Sequence, residues 1–357
     1  MISTNLTPDL QTGIGAWSFS AFQRAMREGI SRDGHRLYPV FPYTAFTRMV
    51  DADLTDLYAY LMAQPAVRAD PAPSRLAFPF GLRPLLALWN GLFLVPGPLA
   101  PGAVAGDPVR STQQQRGEYL VNGVGHCGAC HTARNALGAE RPGAAFLAGA
   151  TVDGWEAPAL TAATRAPVAW TAQAFYDYLR HGHSAQHGAA TGPMATVVRE
   201  LGPASDADLR AMAAYLASFN PAQSDSQASA AAQRTIAAAQ SQAPLPDAAQ
   251  RMFQTACGAC HHDGDGPRLL GANVPLALAS KLHAERPDNL LRVILDGVRE
   301  PASREVGFMP AFRDSLDDRQ IATLAGYMRK RFAPGRPAWS DLEAALARLR
   351  TQADGGR

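Results

Sequence analysis

The heptapeptide Gly125-His-Cys-Gly-Ala-Cys-His131 contains two cysteines, two intervening residues and a histidine directly after the second cysteine. The pentapeptide Cys257-Gly-Ala-Cys-His261 repeats its last five residues without change. These two strings contain all four cysteines of the 357-residue chain. The cysteines are therefore used in pairs, and each pair has a histidine fixed beside it.

A Cys-x-x-Cys-His string is the attachment signature of a c-type haem. The two thiols add across the two vinyl groups of the porphyrin, and the adjacent histidine becomes the proximal iron ligand. We therefore predict two covalently bound haem c groups in this chain. The predicted attachment residues are Cys127, Cys130, Cys257 and Cys260, and the predicted proximal iron ligands are His131 and His261.

An internal repeat supplies a methionine at the same place in its second and third copies. Met194 lies 12 positions after Gly182, and Met309 lies 12 positions after Gly297. Each methionine is next to a proline in an irregular loop before the last helix of its copy. A thioether is a soft ligand that favours Fe(II), so these two methionines are the predicted sixth ligands.

The first copy of the repeat lacks the Cys-x-x-Cys-His string, and Phe41 occupies the methionine position. Met49 and His35 are nearby alternative ligands. The copy begins with the loop and helices that normally follow a haem-binding helix, and no signal peptide precedes it. We expect sequence upstream of Met1 to encode a signal peptide and a third attachment string, which would add a third haem.

Helical patterns dominate the chain, and no segment shows the alternation expected of a strand. Ser205 precedes an acidic first turn, and Leu209, Met212 and Leu216 recur on one face of the helix that follows. Hydrophobic residues make up 47% of the chain, which is enough for each domain to bury a core. The predicted fold class is all-α, with tandem class I cytochrome c domains joined by irregular linkers.

The predicted domain boundaries follow the repeats and the composition of the segments between them. They are a truncated cytochrome c domain without its attachment string at 1–64, a Pro/Gly-rich apolar linker at 65–112, a haem domain at 113–221, a flexible exposed linker at 222–246, a haem domain at 247–335 and a C-terminal tail at 336–357.

Composition and charge exclude several classes of protein. The net charge is +2 and the basic residues are spread along the chain, so nucleic acid is not a predicted partner. The apolar tract from Leu76 to Val95 is interrupted by proline, glycine and Arg83, so we expect no membrane-spanning helix. We interpret this tract as either a contact surface or a site of interdomain packing.

Other uses of the paired cysteines fit less well. A structural zinc site needs its two pairs about 15–20 residues apart, whereas Cys130 and Cys257 lie 127 positions apart. Thioredoxin-like chemistry needs a βαβ context that the sequence does not show. Met194 and Met309 could each simply pack in the core, but their equal spacing in two copies favours the ligand interpretation.

Two other functions are possible for a haem protein. A peroxidase-like or nitrite-reducing cytochrome would need an open iron site, and a non-redox scaffold would keep haem only for structure.

Several further residues are weaker candidates. The segment Trp155-Glu-Ala-Pro158 could line the haem site of its domain. We interpret four histidines as surface residues or neighbours of the ligands: His183, His187, His262 and His283. Three arginines could contact haem propionates, because a guanidinium suits bidentate carboxylate contacts: Arg134, Arg268 and Arg292.

The chain resembles, along nearly its whole length, the three-haem cytochrome c subunits of membrane-associated bacterial dehydrogenases. The shared motifs are Ser3-Thr-Asn-Leu-Thr-Pro8, Leu37-Tyr-Pro39, Leu86-Ala-Leu-Trp-Asn90, Gly125-His-Cys-Gly-Ala-Cys-His131 and Gly192-Pro-Met194. One such group serves quinohaemoprotein alcohol and sugar-alcohol dehydrogenases. A second serves molybdopterin hydroxylases of the nicotinate, isoquinoline and aldehyde oxidoreductase type. The second group is more similar at Phe41-Pro-Tyr43, Asp153-Gly-Trp-Glu-Ala-Pro158 and Gly307-Phe-Met-Pro-Ala-Phe-Arg-Asp314.

Both resemblances imply the same role. The chain would have no catalytic residues and would not be catalytic on its own. It would take electrons from a catalytic dehydrogenase subunit, expected to be a molybdopterin hydroxylase, with the alcohol dehydrogenase type as the alternative. The electrons would pass through the haems to quinone or a terminal oxidase of the respiratory chain. The implied location is the periplasm at the outer face of the inner membrane, with peripheral membrane contact.

Loss of one cysteine pair should remove one haem and leave the other. We expect the double substitution Cys257→Ser with Cys260→Ser to lower the covalently bound haem by one per chain, because serine forms no thioether with a vinyl group. The measurement is haem content after extraction with acidified acetone. The matched control is Cys127→Ser with Cys130→Ser, which should give the same loss. A wild-type chain that releases its pigment into the acetone would contradict the prediction.

Overall fold

The computed structural model describes residues 3–72, 76, 78, 81–99, 111–241, 248–261 and 274–354. These residues are mainly helical, which confirms the predicted all-α class. The chain divides into two compact units, Met1–Ala129 and Cys130–Arg357. This division falls inside the predicted haem domain at 113–221, so the helix before the first attachment string belongs to the first unit.

Short helices form the first unit. They are α1 (Phe19–Glu28), α2 (Tyr43–Phe46), α3 (Asp51–Met62), α4 (Leu85–Phe93) and α5 (Thr112–Tyr119), and α5 continues into a π-helical turn at Leu120–Val124. Helix α1 begins where the Ser18 hydroxyl accepts a hydrogen bond from the Ala21 amide. The buried centre of this unit consists of Phe22, Met26, Met49 and Leu54.

Helix α4 is held by one buried polar residue, Asn90. The Tyr43 hydroxyl donates to Asn90 Oδ1 at 2.7 Å, and Asn90 Nδ2 donates to the Glu28 carbonyl at 3.0 Å. The other face of α4 is apolar and exposed: Leu85, Leu88 and Leu92 are 49%, 67% and 61% exposed. The interpretation of the apolar tract as a contact surface requires such exposure. Among the helices that the structure describes, none has the length and hydropathy needed to cross a membrane.

The first part of the second unit combines helices with two small hairpins. Helix α6 (Gly128–His131) spans the boundary between the units. It is followed by β1 (Ala150–Val152), β2 (Trp155–Ala157), α7 (Ala172–His181), β3 (His183–Ser184), β4 (Gly188–Ala189), α8 (Pro193–Glu200) and α9 (Asp206–Ala217). Strand β1 pairs antiparallel with β2, and β3 with β4. Helix α7 packs against α9, whose predicted inner face is buried as expected at Leu209, Met212 and Leu216.

The prediction of a flexible, exposed linker at 222–246 is wrong over most of its length, because residues Asp225–Gln240 form helix α10. Ser224 begins this helix through a capping box with Gln227. Ala228 and Ala232 are buried in a cluster with residues of both haem domains. Alanine is the strongest helix former but buries little area, so the sequence shows helix propensity without the apolar stripe that indicates packing.

The remainder of the second unit contains the largest core. Its helices are α11 (Ala248–Ala256), α12 (Ser280–His283), α13 (Asp288–Asp296), α14 (Asp318–Phe332) and α15 (Leu342–Asp354). Asp317 begins α14 through a capping box with Gln320. Helices from the whole segment meet in one apolar cluster that includes Phe253, Leu291, Ile321, Leu324 and Leu346.

The predicted C-terminal tail at 336–357 is likewise mostly a packed helix, α15. Leu346 and Leu349 are 0% and 1% exposed in the core of the third copy. Arg348 Nη2 contacts the buried Asp288 Oδ1 at 2.7 Å, and Arg350 Nε contacts Asp318 Oδ1 at 2.5 Å. The helix therefore completes the preceding domain.

A comparison of two glycines in the second unit distinguishes the effect of backbone strain from that of steric contact. Gly182 ends α7 at φ +76°, and an added Cβ would lie 2.5 Å from the Ala302 Cβ. Gly138 has a similar φ of +79°, and an added Cβ would meet nothing within 4 Å. The two sites share the same conformational requirement and differ in their surroundings.

We therefore expect Gly138→Ala to lower the free energy of unfolding by about 1 kcal/mol, the cost of a left-handed alanine. Gly182→Ala adds a clash with Ala302 and should cost roughly 2–4 kcal/mol. Denaturant unfolding of the two variants and the wild type measures the difference. Equal losses would mean that the Ala302 contact relaxes without cost.

Candidate haem-binding sites

The first attachment string lies where the helical structure changes type. The Gly125 amide donates to the Leu120 carbonyl at 2.7 Å and closes the π-helical turn. The Cys127 amide then donates to the Val121 carbonyl at 3.0 Å. Cys130 and His131 follow on helix α6. The string therefore sits on a helical turn, where residues three and four positions apart share a face.

The orientation of His131 is fixed by a backbone carbonyl. His131 Nδ1 lies 2.7 Å from the Pro158 carbonyl oxygen. Because a carbonyl oxygen only accepts, Nδ1 carries the proton and Nε2 keeps its lone pair. Burial lowers the pKa of His131, which also favours the neutral ring. A neutral imidazole with one nitrogen held and the other available is the form that binds a metal, so His131 fits a haem iron.

The segment Trp155–Pro158 connects His131 to the start of α8, where Met194 lies, so the predicted loop position of Met194 is wrong. Its last residue contacts the His131 ring, and its first residue lies beside Gly192: an added Cβ at Gly192 would be 2.7 Å from the Trp155 ring. Met194 follows in the first turn of α8, partly buried against Ala195, Val198 and their neighbours. Both predicted ligands of this site thus flank the same short segment.

The second attachment string continues helix α11. The Cys257 amide donates to the Phe253 carbonyl at 2.9 Å, and the His261 amide donates to the Cys257 carbonyl at 2.9 Å. Cys257 packs against the large apolar cluster, as does Phe312. Phe312 lies three residues after Met309, so the attachment string and the methionine loop border the same core.

One thiol of each string is in surroundings that keep it protonated. Burial, and then the neighbouring Cys260, raises the pKa of Cys257 to about 11. Burial also raises the pKa of Cys130. Redox-active cysteines have lowered pKa values, so these sites differ from thioredoxin-like ones. The four cysteines, all of which the structure describes, form no disulfide.

Met309 is positioned through its backbone. The Met309 amide donates to the Val298 carbonyl at 3.2 Å, and the Val298 amide donates to the Met309 carbonyl at 2.9 Å. Gly297, at φ +69°, allows this pairing, because an added Cβ would lie 2.4 Å from the Met309 oxygen. The equal spacing from glycine to methionine seen in the sequence therefore marks a backbone contact in this copy.

The weaker candidates have various surroundings. His187 and His283 are 3% and 6% exposed, so the interpretation of these two as surface residues is wrong. His183 contacts Glu305. Arg292 donates to the Gly154 carbonyl at 3.1 Å and lies over the Trp155 ring. Arg134 donates to the Gly138 carbonyl at 2.8 Å, while His262 and Arg268 lie outside the described residues.

In the first copy, the residues at and near the methionine position have structural partners. Phe41 stacks in a tilted arrangement with Phe46, their ring centroids 5.5 Å apart. Met49 is 4% exposed in the core of the first unit. His35 Nδ1 lies 2.5 Å from Asp33 Oδ1.

Two functional contacts could not be predicted from the sequence. From the sequence, Pro158 is expected only as part of the segment that lines the haem site. Its role as the acceptor that orients His131 could not be predicted, because a contact with a backbone carbonyl depends on the path of the backbone. Glu305, which lies in the loop before Met309 and contacts His181 and His183, has no expected role. Only the spacing between Gly297 and Met309 indicates that this loop is constrained.

Two segments of the chain match families of cytochromes. Residues 114–220 match the family described as Cytochrome c, and residues 244–328 match the family described as Cytochrome C oxidase, cbb3-type, subunit III. Each segment contains one attachment string and one of the two predicted methionine ligands. The fold and the sites therefore define a c-type cytochrome with two cytochrome c domains, which carry covalently bound haem c.

Similar proteins cover nearly the whole chain. A nicotinate dehydrogenase subunit of Pseudomonas putida is 49% identical over 350 residues, which is 98% of this chain and 29% of that protein. The fructose dehydrogenase cytochrome subunit of Gluconobacter japonicus is 35% identical over 92% of this chain and 71% of its own length. The gluconate 2-dehydrogenase cytochrome c subunit of Pantoea cypripedii is 35% identical over 94% of this chain and 78% of its own length.

The chain belongs to the family of cytochrome c subunits of bacterial dehydrogenases. It spans less than a third of the length of the Pseudomonas putida relative, 29%, and about three quarters of the length of the other two, 71% and 78%.

His187 gives a testable pH dependence. Its ring stacks on Trp170 at 3.6 Å, and neither ring nitrogen has a hydrogen-bond partner among the described residues. Burial lowers the pKa of His187 to about 3. In the unfolded chain this histidine binds a proton near pH 6.5, whereas in the folded chain it stays neutral down to about pH 3. The free energy of unfolding therefore decreases as pH falls from about 6.5 towards 3.

We expect His187→Phe to keep the ring stack and to reduce this loss by up to about 1.4 kcal/mol per pH unit. The measurement is the free energy of unfolding between pH 7 and 4. Val168→Ala, a change at a buried residue that removes no titratable group, is the control and should leave the slope unchanged. A slope in His187→Phe equal to that of the wild type would contradict the burial of a neutral ring.

Proposed function

We propose that this chain is an electron-transfer subunit that carries electrons from a catalytic dehydrogenase subunit through its c-type haems. The observation that carries the proposal is the presence of two attachment strings, each combined with a methionine that lies 12 positions after a glycine. The held Nδ1 of His131 supports it, because the remaining ring nitrogen is prepared for a metal. The haem iron supplies the chemistry, since it accepts and releases a single electron.

Each residue of the two sites has a role in this proposal. The thiols of Cys127 and Cys130, and those of Cys257 and Cys260, form the thioether links. His131 and His261 would be the proximal ligands, and Met194 and Met309 would be the sixth ligands. A thioether ligand together with an imidazole would raise the reduction potential and fill the coordination sphere. Both effects suit electron transfer and oppose substrate binding at iron.

The catalytic partner is proposed to be a molybdopterin hydroxylase. Identity to the nicotinate dehydrogenase subunit is 49%, whereas identity to the cytochrome subunits of fructose, gluconate and alcohol dehydrogenases is 33–35%. This difference agrees with the resemblance at Phe41-Pro-Tyr43 and Gly307–Asp314. A quinohaemoprotein alcohol or sugar-alcohol dehydrogenase is the less supported partner.

The acceptor and the location follow from the same proposal. Haem becomes attached to Cys-x-x-Cys-His strings after export, so the working location is the periplasm, at the outer face of the inner membrane. Electrons would leave to quinone or to a terminal oxidase of the respiratory chain. The exposed leucines of α4 are the proposed contact surface for peripheral attachment.

A self-contained redox enzyme is the competing function. It requires an iron with an open position, whereas a ligand on both sides of each iron leaves none. The full chain, matured with its haems, should therefore show two reversible redox couples and bind little CO when reduced. Extensive CO binding by the wild type would favour the competing enzyme, and the lack of an accessible couple would favour a structural role for haem.

Substitution of each methionine tests the ligands directly. We expect Met194→Leu and Met309→Leu each to lower the potential of one haem by a substantial fraction of the roughly 0.8 V that axial ligands span. Each should also open one iron to CO, because leucine has a similar volume but no ligand atom. Met212→Leu, in the buried core of α9, is the matched control. Unchanged potentials and CO binding in either variant would exclude that methionine as a ligand.

A further inference from the structure

The segment Val298–Met309, here the Met309 loop, is closed at its base. The paired backbone hydrogen bonds between Val298 and Met309 fix its two ends to each other. After the loop, the Phe312 amide donates to the Ile294 carbonyl at 3.0 Å and ties the chain to α13. The outer part of the loop and Met309 therefore belong to one closed segment, whose base is held next to α13.

The outer part of the Met309 loop is docked on the preceding haem domain through Glu305. Its carboxylate accepts one hydrogen bond from His181 Nδ1 at 3.2 Å and one from His183 Nε2 at 3.0 Å. The bond from His183, and the nearby charge of His181, lower the pKa of Glu305. The carboxylate is ionised at neutral pH, so both contacts are charge-assisted.

Further polar contacts bind the backbone of the loop. The Ser303 hydroxyl donates to the His181 carbonyl. Arg199 Nη1 donates to the carbonyls of Glu300 and Pro301, at 2.9 and 3.4 Å. The contacts of Arg199 hold main-chain carbonyls of the loop, and the contact of Ser303 attaches the loop to a main-chain carbonyl of α7. Together they fix the path of the loop.

Apolar side chains complete the contact. Gly182 makes the approach possible, because an added Cβ would lie 2.5 Å from the Ala302 Cβ and 3.3 Å from Val306 Cγ2. Ala302 and Val306 belong to a small apolar cluster that also contains, from the preceding domain, Tyr178, Ala190, Met194, Ala195 and Val198. Met194 therefore packs on the same cluster as the loop whose base holds Met309.

We propose that the Met309 loop is the crossing point for electrons between the two haem-binding sites, and that Glu305 is the residue that positions it. The rate of electron transfer between two centres falls steeply with their separation, so a packed connection between the two methionine sites is favoured over a longer route. This inference rests on the proposed electron-transfer function and adds to it the route and the positioning residue.

The exposure of Glu305 distinguishes positioning from general stabilisation. Its side chain is 58% exposed, and those of His181 and His183 are 38% and 22% exposed. Ion pairs this exposed contribute little to global stability. Their loss should therefore release the loop locally while the domains remain folded, which makes the role of the loop measurable.

The test compares four variants of the full chain, each matured with its haems. Glu305→Gln removes the charge, and Ser303→Ala removes an independent contact of the same loop. Arg304→Gln is a control within the loop, because the Arg304 side chain is exposed and has no hydrogen bond or ion pair among the described residues. Glu343→Gln, on the exposed face of α15, is a control elsewhere. Haem content and thermal unfolding establish that each variant is folded. If Glu305→Gln does not fold, Ser303→Ala is used for the test instead.

Two measurements follow. Hydrogen exchange reports whether residues 299–307 have become more mobile. Pulse reduction of the oxidised protein gives a bimolecular phase and an intramolecular phase, and the second is recognised by a rate that does not depend on protein concentration. We expect Glu305→Gln and Ser303→Ala to speed exchange in the loop and to slow the intramolecular phase about two- to fivefold, as expected for the loss of one exposed polar docking contact. The controls should match the wild type.

Other outcomes overturn the inference. Faster exchange in the loop with an unchanged intramolecular phase would place the electron route elsewhere. Unchanged exchange in both variants would show that Glu305 and Ser303 do not hold the loop. Failure of the proposed function itself is distinct, because it appears in the wild type, as a chain without bound haem or without an accessible redox couple, before any variant is compared.

Discussion

The hydrogen bond from His131 Nδ1 to the Pro158 carbonyl is the constraint on which the first complete site depends. The attachment string fixes where this histidine lies but leaves its ring free to rotate. One backbone acceptor removes that freedom and selects the tautomer that leaves Nε2 without a proton. The segment that provides the acceptor also places Trp155 against Gly192, next to Met194. A single short segment therefore serves both sides of the site.

The third copy reaches a comparable result with different contacts. Here the methionine is held by backbone pairing with Val298 beside Gly297, and the attachment string extends α11 against the large core. In the third copy, backbone pairing therefore positions the predicted methionine ligand, which lies far from the cysteines in sequence.

The two complete haem domains are joined by more than a linker. Helix α10 packs between residues of both. The Met309 loop docks on the end of α7 through Glu305 and Ser303, and on α8 through the contacts of Arg199 with the loop backbone. For a chain of one-electron carriers, such a junction has a functional consequence, because the distance between carriers controls the rate. Domains that moved independently would transfer electrons only in those orientations that brought the sites close together.

The sequence by itself determined that this protein is a c-type cytochrome and predicted which residues would hold its haems. The two Cys-x-x-Cys-His strings are local patterns whose meaning does not depend on distant contacts, and the helical periodicity of residues such as Leu209 and Leu216 was enough for the all-α class. The ligand role of Met194 and Met309 is a prediction from their equal spacing. The tertiary structure decided the rest. Whether Asp225–Gln240 and Leu342–Asp354 are linkers or packed helices depends on which surfaces are available to cover alanines and leucines. The acceptor for His131, the burial of His187 and the partners of Glu305 likewise depend on residues that are far apart in the chain and meet only when it folds.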